Sequence, residues 1–151
     1  MDREYTYLRA LDGTMVRFSL EKGSDFFEPA PSTWEQENLP ENALKGVRVH
    51  RSAEVDTTVR FGRSVVVLRG AVIGPHVDLH SGVIVGRGCH LEAGVRINEG
   101  ARLHPGVTVQ RGGKIMQHAV VCRGVSLGRG AVVYPDCVAE IDVGDGGEVV
   151  K

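Results

Sequence analysis

His104 is the side chain in this sequence best suited to act as a general base. A histidine exchanges protons near neutral pH, so it can take a proton from an attacking amine or hydroxyl. His104 stands 18 residues before Cys122 and four before Thr108. If positions 18 apart stack on one another, Cys122 covers His104, and His90, Thr108 and Ser126 share its corner. We take His104 as the candidate catalytic residue, with an ordinary exposed histidine in a crowded corner as the alternative.

Arginines recur at the same spacing. Arg51, Arg69, Arg87 and Arg123 fall at equivalent positions of an 18-residue period, with Pro105 in the remaining slot. Stacked like charges repel, so these side chains need carboxylates, solvent or a bound anion. The carboxylates available nearby are Glu54, Asp56 and Glu92. A bound anion would be the phosphate of a nucleotide-bearing ligand such as coenzyme A, with Arg87 and Arg123 as the candidate binding residues.

A continuous period of six residues positions these side chains. Steps of six from Val49 to Ala139 meet sixteen inward positions, of which only Ala139 is small. Four residues after each stands a smaller residue, from Ala53 to Val143, and the residue before that one is most often glycine, which adopts a positive φ easily. Two inward positions two apart indicate a short strand followed by a corner. Three strands and corners make a coil of 18 residues, and roughly five coils stack about 4.8 Å apart.

The phrases IGPHVD at 73–78 and LGRGAV at 127–132 resemble the hexapeptide repeat of left-handed parallel β-helix proteins. The resemblance spans residues 47–144 and implies an all-β, left-handed parallel β-helix. Known enzymes with this repeat are chiefly acyltransferases that form trimers. In them a histidine base activates an amine or hydroxyl to attack an acyl thioester, while the pantetheine arm lies in a groove between two helices. The resemblance therefore implies acyl-coenzyme A as co-substrate and a small-molecule acceptor.

Two departures from the acyltransferase pattern leave a second function open. No long loop interrupts the coils, and no histidine occupies the turn position just after the outward residue, where Pro75, Arg87, Glu99 and Pro105 stand. Uninterrupted β-helices also serve as rigid assembly modules, so a non-catalytic scaffold is the alternative to an acyltransferase.

A third alternative comes from the γ-class carbonic anhydrases, which share this repeat and bind zinc through three histidines. The segment VVLRGAVIG at 66–74 resembles their Arg-Gly-Asp segment, but Ala71 replaces the aspartate. His80 follows Leu79 as a ligand histidine can, yet His104 and His118 are fourteen residues apart instead of forming a His-x4-His pair. We expect no metal.

The first 46 residues predict a separate element. Two alternating runs meet at Asp12-Gly13 and predict a β-hairpin, and pairing across a two-residue turn places Tyr5 and Tyr7 on one face with Val16, Phe18 and Leu20. After a proline-rich joint at 29–31, Ser32 to Glu35 form a capping box for a short helix that ends near Pro40. Residues 1–46 should cap or lie along the β-helix of residues 47–144, and residues 145–151 should form a tail.

One face of the predicted prism is apolar on its outside. The outward apolar residues are Val66, Leu68, Ile84, Val120, Cys122 and Val138. Such a patch usually marks an interface, so we expect a homotrimer that packs through this face. In the alternative, the amino-terminal hairpin covers the face in a monomer.

Charge and cysteine content restrict the partners and the compartment. A net charge of -1 with 25% charged residues gives no reason to expect nucleic acid or an anionic membrane as partner. The amino terminus is charged where a signal peptide would be apolar, so we expect a cytoplasmic protein. The three cysteines form no CxxC pair, and Cys89 and Cys137 occupy small inward positions. We expect them to be reduced core thiols.

Overall fold

The computed structural model describes residues 3–29 and 44–151, and all regular structure within these residues is β. The short helix predicted after Ser32 and most of the proline-rich joint lie outside the described residues. The chain begins with three antiparallel strands. They are β1 (Arg3–Ala10), β2 (Met15–Glu21) and β3 (Phe26–Pro29).

The rest of the chain is a left-handed parallel β-helix of hexapeptide repeats, as the sequence predicts. Face 1 consists of β4 (Arg48–His50), β7 (Val66–Val67), β10 (Ile84–Val85), β13 (Arg102–Leu103), β16 (Val120–Val121) and β19 (Val138–Ala139). Face 2 consists of β5 (Glu54–Val55), β8 (Val72–Ile73), β11 (His90–Leu91), β14 (Thr108–Val109) and β17 (Ser126–Leu127). Face 3 consists of β6 (Arg60–Phe61), β9 (Asp78–Leu79), β12 (Arg96–Ile97), β15 (Lys114–Ile115), β18 (Val132–Val133) and β20 (Glu148–Val149). Six strands on face 1 correspond to about six turns.

The inward positions form one continuous core along the prism. Phe61, Leu91 and Leu127 are at most 1% exposed, as expected for the large residues of the period. The turn position before each small residue has the expected positive φ wherever glycine stands. His76 and His118 also adopt it, each with a φ of 59°. The conformation of the corner therefore explains these two histidines, as the period predicted.

The last coil is shorter than the sequence period predicts. Val143 pairs with Leu127, 16 residues earlier, where the earlier coils pair at 18. Val143 therefore takes the large inward position, and its assignment as the small residue of the sixteenth phrase is wrong. Carboxylates replace backbone acceptors in this coil, because Asp142 Oδ1 accepts from the Ser126 amide and Asp145 Oδ1 from the Arg129 amide, both at 2.8 Å. The β-helix then continues through β20, inside the predicted tail.

The hairpin forms at the predicted turn, but its predicted register is wrong by one residue. Phe18 pairs with Thr6, where a two-residue turn would pair it with Tyr7. The amide of Ala10 donates to the carbonyl of Thr14 at 2.8 Å across a three-residue loop whose Gly13 has a φ of 92°. A one-residue slip exchanges the two faces of a strand, so Tyr7 is exposed while Phe18 is fully buried.

The amino-terminal sheet caps one end of the prism. β3 pairs antiparallel with β4 on face 1, and β1 pairs parallel with β6 on face 3. Leu8, Val16 and Phe18 thereby close the end of the core. The three described strands extend the sheets of the prism and leave its outer sides uncovered.

The outer sides of faces 1 and 3 differ in polarity. On face 3 the guanidinium of Arg60 donates two hydrogen bonds of 2.8 Å to the buried carboxylate of Asp78. On face 1, Val66 lies beside Ile84 and Val120 lies beside Val138, which is 48% exposed. Arg102 interrupts this apolar column between Ile84 and Val120. Within the described residues, no helix is long and apolar enough to span a membrane.

Candidate functional site

His104 lies at the end of face 1, where the chain turns toward face 2. Its amide donates to the carbonyl of Val121 at 3.0 Å, and its side chain is exposed. Cys122 occupies the same position one coil later, as predicted, and it is half-buried. Around the corner, His90 and Thr108 are paired neighbours on β11 and β14. The structure therefore brings together the residues that the 18-residue period placed around His104.

Gly86 allows the backbone of the preceding coil to pack closely against the backbone at His104. A methyl group at Gly86 would lie 2.5 Å from the carbonyl oxygen of Leu103 and 2.8 Å from the carbonyl carbon of His104. Only glycine permits this close approach, because an L-side chain would strike the backbone of the next coil. The sulfhydryl of Cys89 donates to the carbonyl of His104 at 3.1 Å from inside the core. Burial raises the pKa of the Cys89 thiol, so it stays neutral in the folded protein.

The arginine column follows the corner between faces 1 and 2. Arg51 lies 3.5 Å from a carboxylate oxygen of Asp25. Arg69, Arg87 and Arg123 are exposed and form no ion pair with any residue that the structure describes. Two of the carboxylates that the sequence suggested as partners of these arginines contact other groups. The Asp56 side chain accepts from Thr58, which lowers the pKa of that carboxyl group, and Glu92 Oε1 accepts from the Arg111 amide at 3.3 Å.

Arg87 and Arg123 flank the turn that follows His104. The amide of Gly106 donates to the Arg87 carbonyl at 2.8 Å, and the amide of Gly124 donates to the Pro105 carbonyl at 3.0 Å. Pro105 therefore separates the two arginines, which lie two coils apart, or roughly 10 Å. An elongated anion that spans this distance could bind both guanidinium groups beside the imidazole of His104.

His50 has a structural role at the cap. Its Nδ1 lies 2.7 Å from the hydroxyl of Ser52, and its ring packs edge-on against Phe26 with the ring centroids 5.1 Å apart. Among the described residues, no three side chains of the metal-binding types come together as a zinc site requires.

Sequence reasoning missed a groove at the corner between faces 3 and 1. It has a volume of about 460 Å³ and is lined by Lys45, Gly46, Arg63, Ser64, Ser81, Gly82, Glu99 and Gly100. The same 18-residue spacing relates Lys45, Arg63, Ser81 and Glu99, and this signal could have identified the column. A smaller recess of about 130 Å³ lies between the cap and β5. Neither cavity is lined by His104, Arg87 or Arg123.

Comparisons with known proteins find similarity in structure. No family model and no curated protein sequence matches the chain. A variant of perosamine N-acetyltransferase from Caulobacter crescentus, in complex with CoA and GDP-perosamine, is similar at 28% identity with a TM-score of 0.50. The match covers 68% of this chain and 51% of that one.

Two further structures match over similar lengths. PerB from Caulobacter crescentus, with the same two ligands, matches at 25% identity and a TM-score of 0.50, covering 66% of this chain and 51% of that one. The acetyltransferase domain of PglB from Neisseria gonorrhoeae, in complex with acetyl coenzyme A, matches at 27% identity and a TM-score of 0.42, covering 68% and 53%. The chain thus spans about half the length of the structures it resembles.

Proposed function

We propose that this chain, which has the left-handed hexapeptide-repeat β-helix of the acetyltransferases it resembles, is itself acyltransferase-like. It transfers an acyl group from acyl-coenzyme A to the amine or hydroxyl of a small molecule. His104 acts as the general base, and Arg87 and Arg123 bind phosphate groups of the coenzyme.

The exposed arginines beside His104 are the observation on which this proposal rests. Arg69, Arg87 and Arg123 have no carboxylate partner among the described residues, and stacking places the like charges of Arg69 and Arg87 on adjacent coils, where they repel. An anion relieves this repulsion, and guanidinium groups bind phosphate oxygens through short, charge-assisted hydrogen bonds. The likeness to acetyltransferases solved with CoA is independent support for a ligand with phosphate groups.

The chemistry requires one base and a bound thioester. The neutral imidazole of His104 takes a proton from the acceptor as its nitrogen or oxygen attacks the thioester carbon. The new C–N or C–O bond forms, the C–S bond breaks, and the coenzyme leaves as a thiolate that then takes up a proton.

A second copy of the chain completes the groove in this proposal. The neighbour packs against the outward apolar side of face 1, formed by Val66, Leu68, Ile84, Val120 and Val138, in a homotrimer. Since His104 is exposed at the edge of this face, a neighbouring copy would convert an open corner into a groove that excludes water.

Calorimetric titration with acetyl-coenzyme A tests the proposal. We expect one site per chain with micromolar affinity, weakened about tenfold by Arg87→Gln or Arg123→Gln, since each loses a charge-assisted contact. Arg111→Gln, at the corresponding turn between faces 2 and 3, is the matched control and should bind as the unchanged chain does. Absence of binding at millimolar ligand would overturn the proposal.

Release of free thiol in the presence of primary amines and sugar alcohols then identifies the acceptor. His104→Asn should abolish this release while it preserves coenzyme affinity, because the base acts in the chemical step. An active His104→Asn variant would show that the assignment of the base is wrong.

A non-catalytic scaffold is the second candidate. It is favoured by the uninterrupted coils and by the absence of a described cavity at His104. In a scaffold, the apolar side of face 1 would be an assembly surface, and His104 and Arg87 would tolerate substitution without loss of function. If a His104→Asn, Arg87→Gln double variant keeps the assembly function of the unchanged chain, that result would favour the scaffold.

A further inference from the structure

We propose that the groove at the corner between faces 3 and 1 is a second ligand site, which binds a small molecule carrying an anionic group at one end and an ammonium group at the other. This site lies across face 1 from the arginine column. The inference does not depend on acyl transfer.

The floor of the groove is bare backbone. Gly82 and Gly100 stack at the turn with φ values of 75° and 72°, and both line the groove with backbone atoms only. The turns are held by the backbone, since the amide of Gly82 donates to Arg63 and that of Gly100 to Ser81, both at 2.9 Å. The volume of about 460 Å³ is in the range that small-molecule sites occupy.

The imidazole ring of His118 lies next to the groove. His118 follows on the next coil, where its amide donates to the carbonyl of Glu99 at 2.9 Å. Its ring lies so close to Gly100 that a methyl group on that glycine would strike Nδ1. The ring therefore occupies the space next to Gly100, near the carboxylate end of the groove.

The charged side chains of the groove are segregated along it. Lys45 and Arg63 stand on adjacent coils at one end, Ser81 follows, and Glu99 stands at the other end. None of the three charged residues forms an ion pair with another residue in the described part of the chain. Arg63 and Glu99 are two coil steps apart, roughly 10 Å, which is too far for a direct ion pair.

This segregation defines the ligand. A phosphate or carboxylate fits between Lys45 and Arg63, which supply charge-assisted hydrogen bonds. An ammonium roughly 10 Å away reaches Glu99, and Ser81 between them can hydrogen-bond a polar linker. A ligand with only one of the two charged groups would leave one end of the groove unmatched, so the site selects for both.

A titration followed by ligand-observed nuclear magnetic resonance tests the site on the full chain. The probe is 6-aminohexyl phosphate, whose two charged ends lie roughly 10 Å apart when extended. The comparison ligands are hexyl phosphate, 6-aminohexanol and 2-aminoethyl phosphate, whose charges are about half as far apart. We expect 6-aminohexyl phosphate to bind at least about tenfold more tightly than any of the three.

Two substitutions, one at each end of the groove, test which residue binds which charged group of the ligand. Glu99→Gln should weaken 6-aminohexyl phosphate about tenfold and leave hexyl phosphate unchanged, whereas Arg63→Gln should weaken both. Arg111→Gln, at the corresponding turn between faces 2 and 3, should affect neither. Equal affinity for all four ligands, or equal weakening by Arg111→Gln, would overturn the inference.

The outcome is separable from that of the coenzyme titration. If the chain binds 6-aminohexyl phosphate through Glu99 and does not bind acetyl-coenzyme A, the proposal of this site stands and the proposal of transferase function fails. If the chain binds acetyl-coenzyme A and does not bind 6-aminohexyl phosphate through Glu99, the transferase proposal stands and the proposal of this site fails.

Discussion

At the residue scale, the corner around His104 combines a reactive surface with an inert interior. Cys122 is half-buried one coil above His104, whereas Cys89 and Cys137 are buried inside the prism, at 0% and 5% exposure. Burial raises the pKa of the Cys89 thiol, and thiolate is the nucleophilic form. Since the folded state favours the neutral thiol, burial of Cys89 stabilises the protein at pH values below the pKa that this thiol has in the unfolded chain. This contribution is lost as the pH rises above that pKa.

Thiol labelling should therefore find one reactive cysteine per folded chain. At about pH 8 we expect an aromatic disulfide reagent to label Cys122 at least about 100-fold faster than Cys89 or Cys137, which react only when the chain opens. Cys122→Ser should remove the fast phase, and full denaturation should expose all remaining thiols. Bound acetyl-coenzyme A should slow the fast phase, because it would lie beside His104. Fast labelling in the Cys122→Ser variant would contradict the burial of the other two thiols.

At the element scale, the cap depends on which side of the hairpin faces the prism. Phe18 lies between faces 1 and 3 at 0% exposure, and Tyr7 on the other side of the sheet is 55% exposed. The three-residue loop around Gly13 sets this arrangement, because a two-residue turn would exchange the two side chains.

Phe18→Ala should destabilise the protein by about 3–5 kcal/mol, since it leaves a cavity at the end of the core. Tyr7→Ala removes a side chain of similar size from the exposed side and should cost less than about 1 kcal/mol. Urea unfolding monitored by circular dichroism measures both changes. Equal losses would favour the register of a two-residue turn.

At the scale of the whole molecule, the three outer faces of the prism are chemically different. Face 1 has an apolar column interrupted by Arg102, while face 3 has Arg60, Asp78 and Arg96. The described amino-terminal strands cap the end of the prism and leave the outside of face 1 available. The homotrimer through face 1 is thus a proposal, and the cytoplasmic location stays a prediction.

Ile84→Glu tests the trimer, because it places a carboxylate in the centre of the proposed interface. We expect multi-angle light scattering to give three times the 16.3 kDa chain mass for the unchanged protein and a single chain mass for Ile84→Glu at micromolar concentration. Val132→Glu, on face 3, is the matched control and should remain trimeric. The carboxylate of Ile84→Glu lies beside Arg102, and that of Val132→Glu lies between Lys114 and Glu148 at an outward-facing strand position, so the folded chain should tolerate both. A monomeric unchanged protein would contradict the proposed assembly.

The sequence by itself determined the β-helix, because every coil repeats one local rule. A large inward residue, a turn residue and a small inward residue specify each strand and corner, and contacts extend only to the adjacent coils. The same rule identified the column of His104 and Cys122 and that of Arg87 and Arg123. Whether these residues act in acyl transfer is not a matter of spacing, so their roles stay predictions.

Only the tertiary structure determined the features of the fold that depart from this local rule. The hairpin register followed from the loop around Gly13, and the last coil is shortened where the carboxylates of Asp142 and Asp145 accept backbone hydrogen bonds. The position of the cap depended on the pairing of β1 and β3 with two different faces. The 18-residue spacing relates Arg63 to Glu99, but only the structure shows that Gly82 and Gly100 line a groove between them. Such features depend on contacts between segments with different local patterns, and a repeat in the sequence does not encode them.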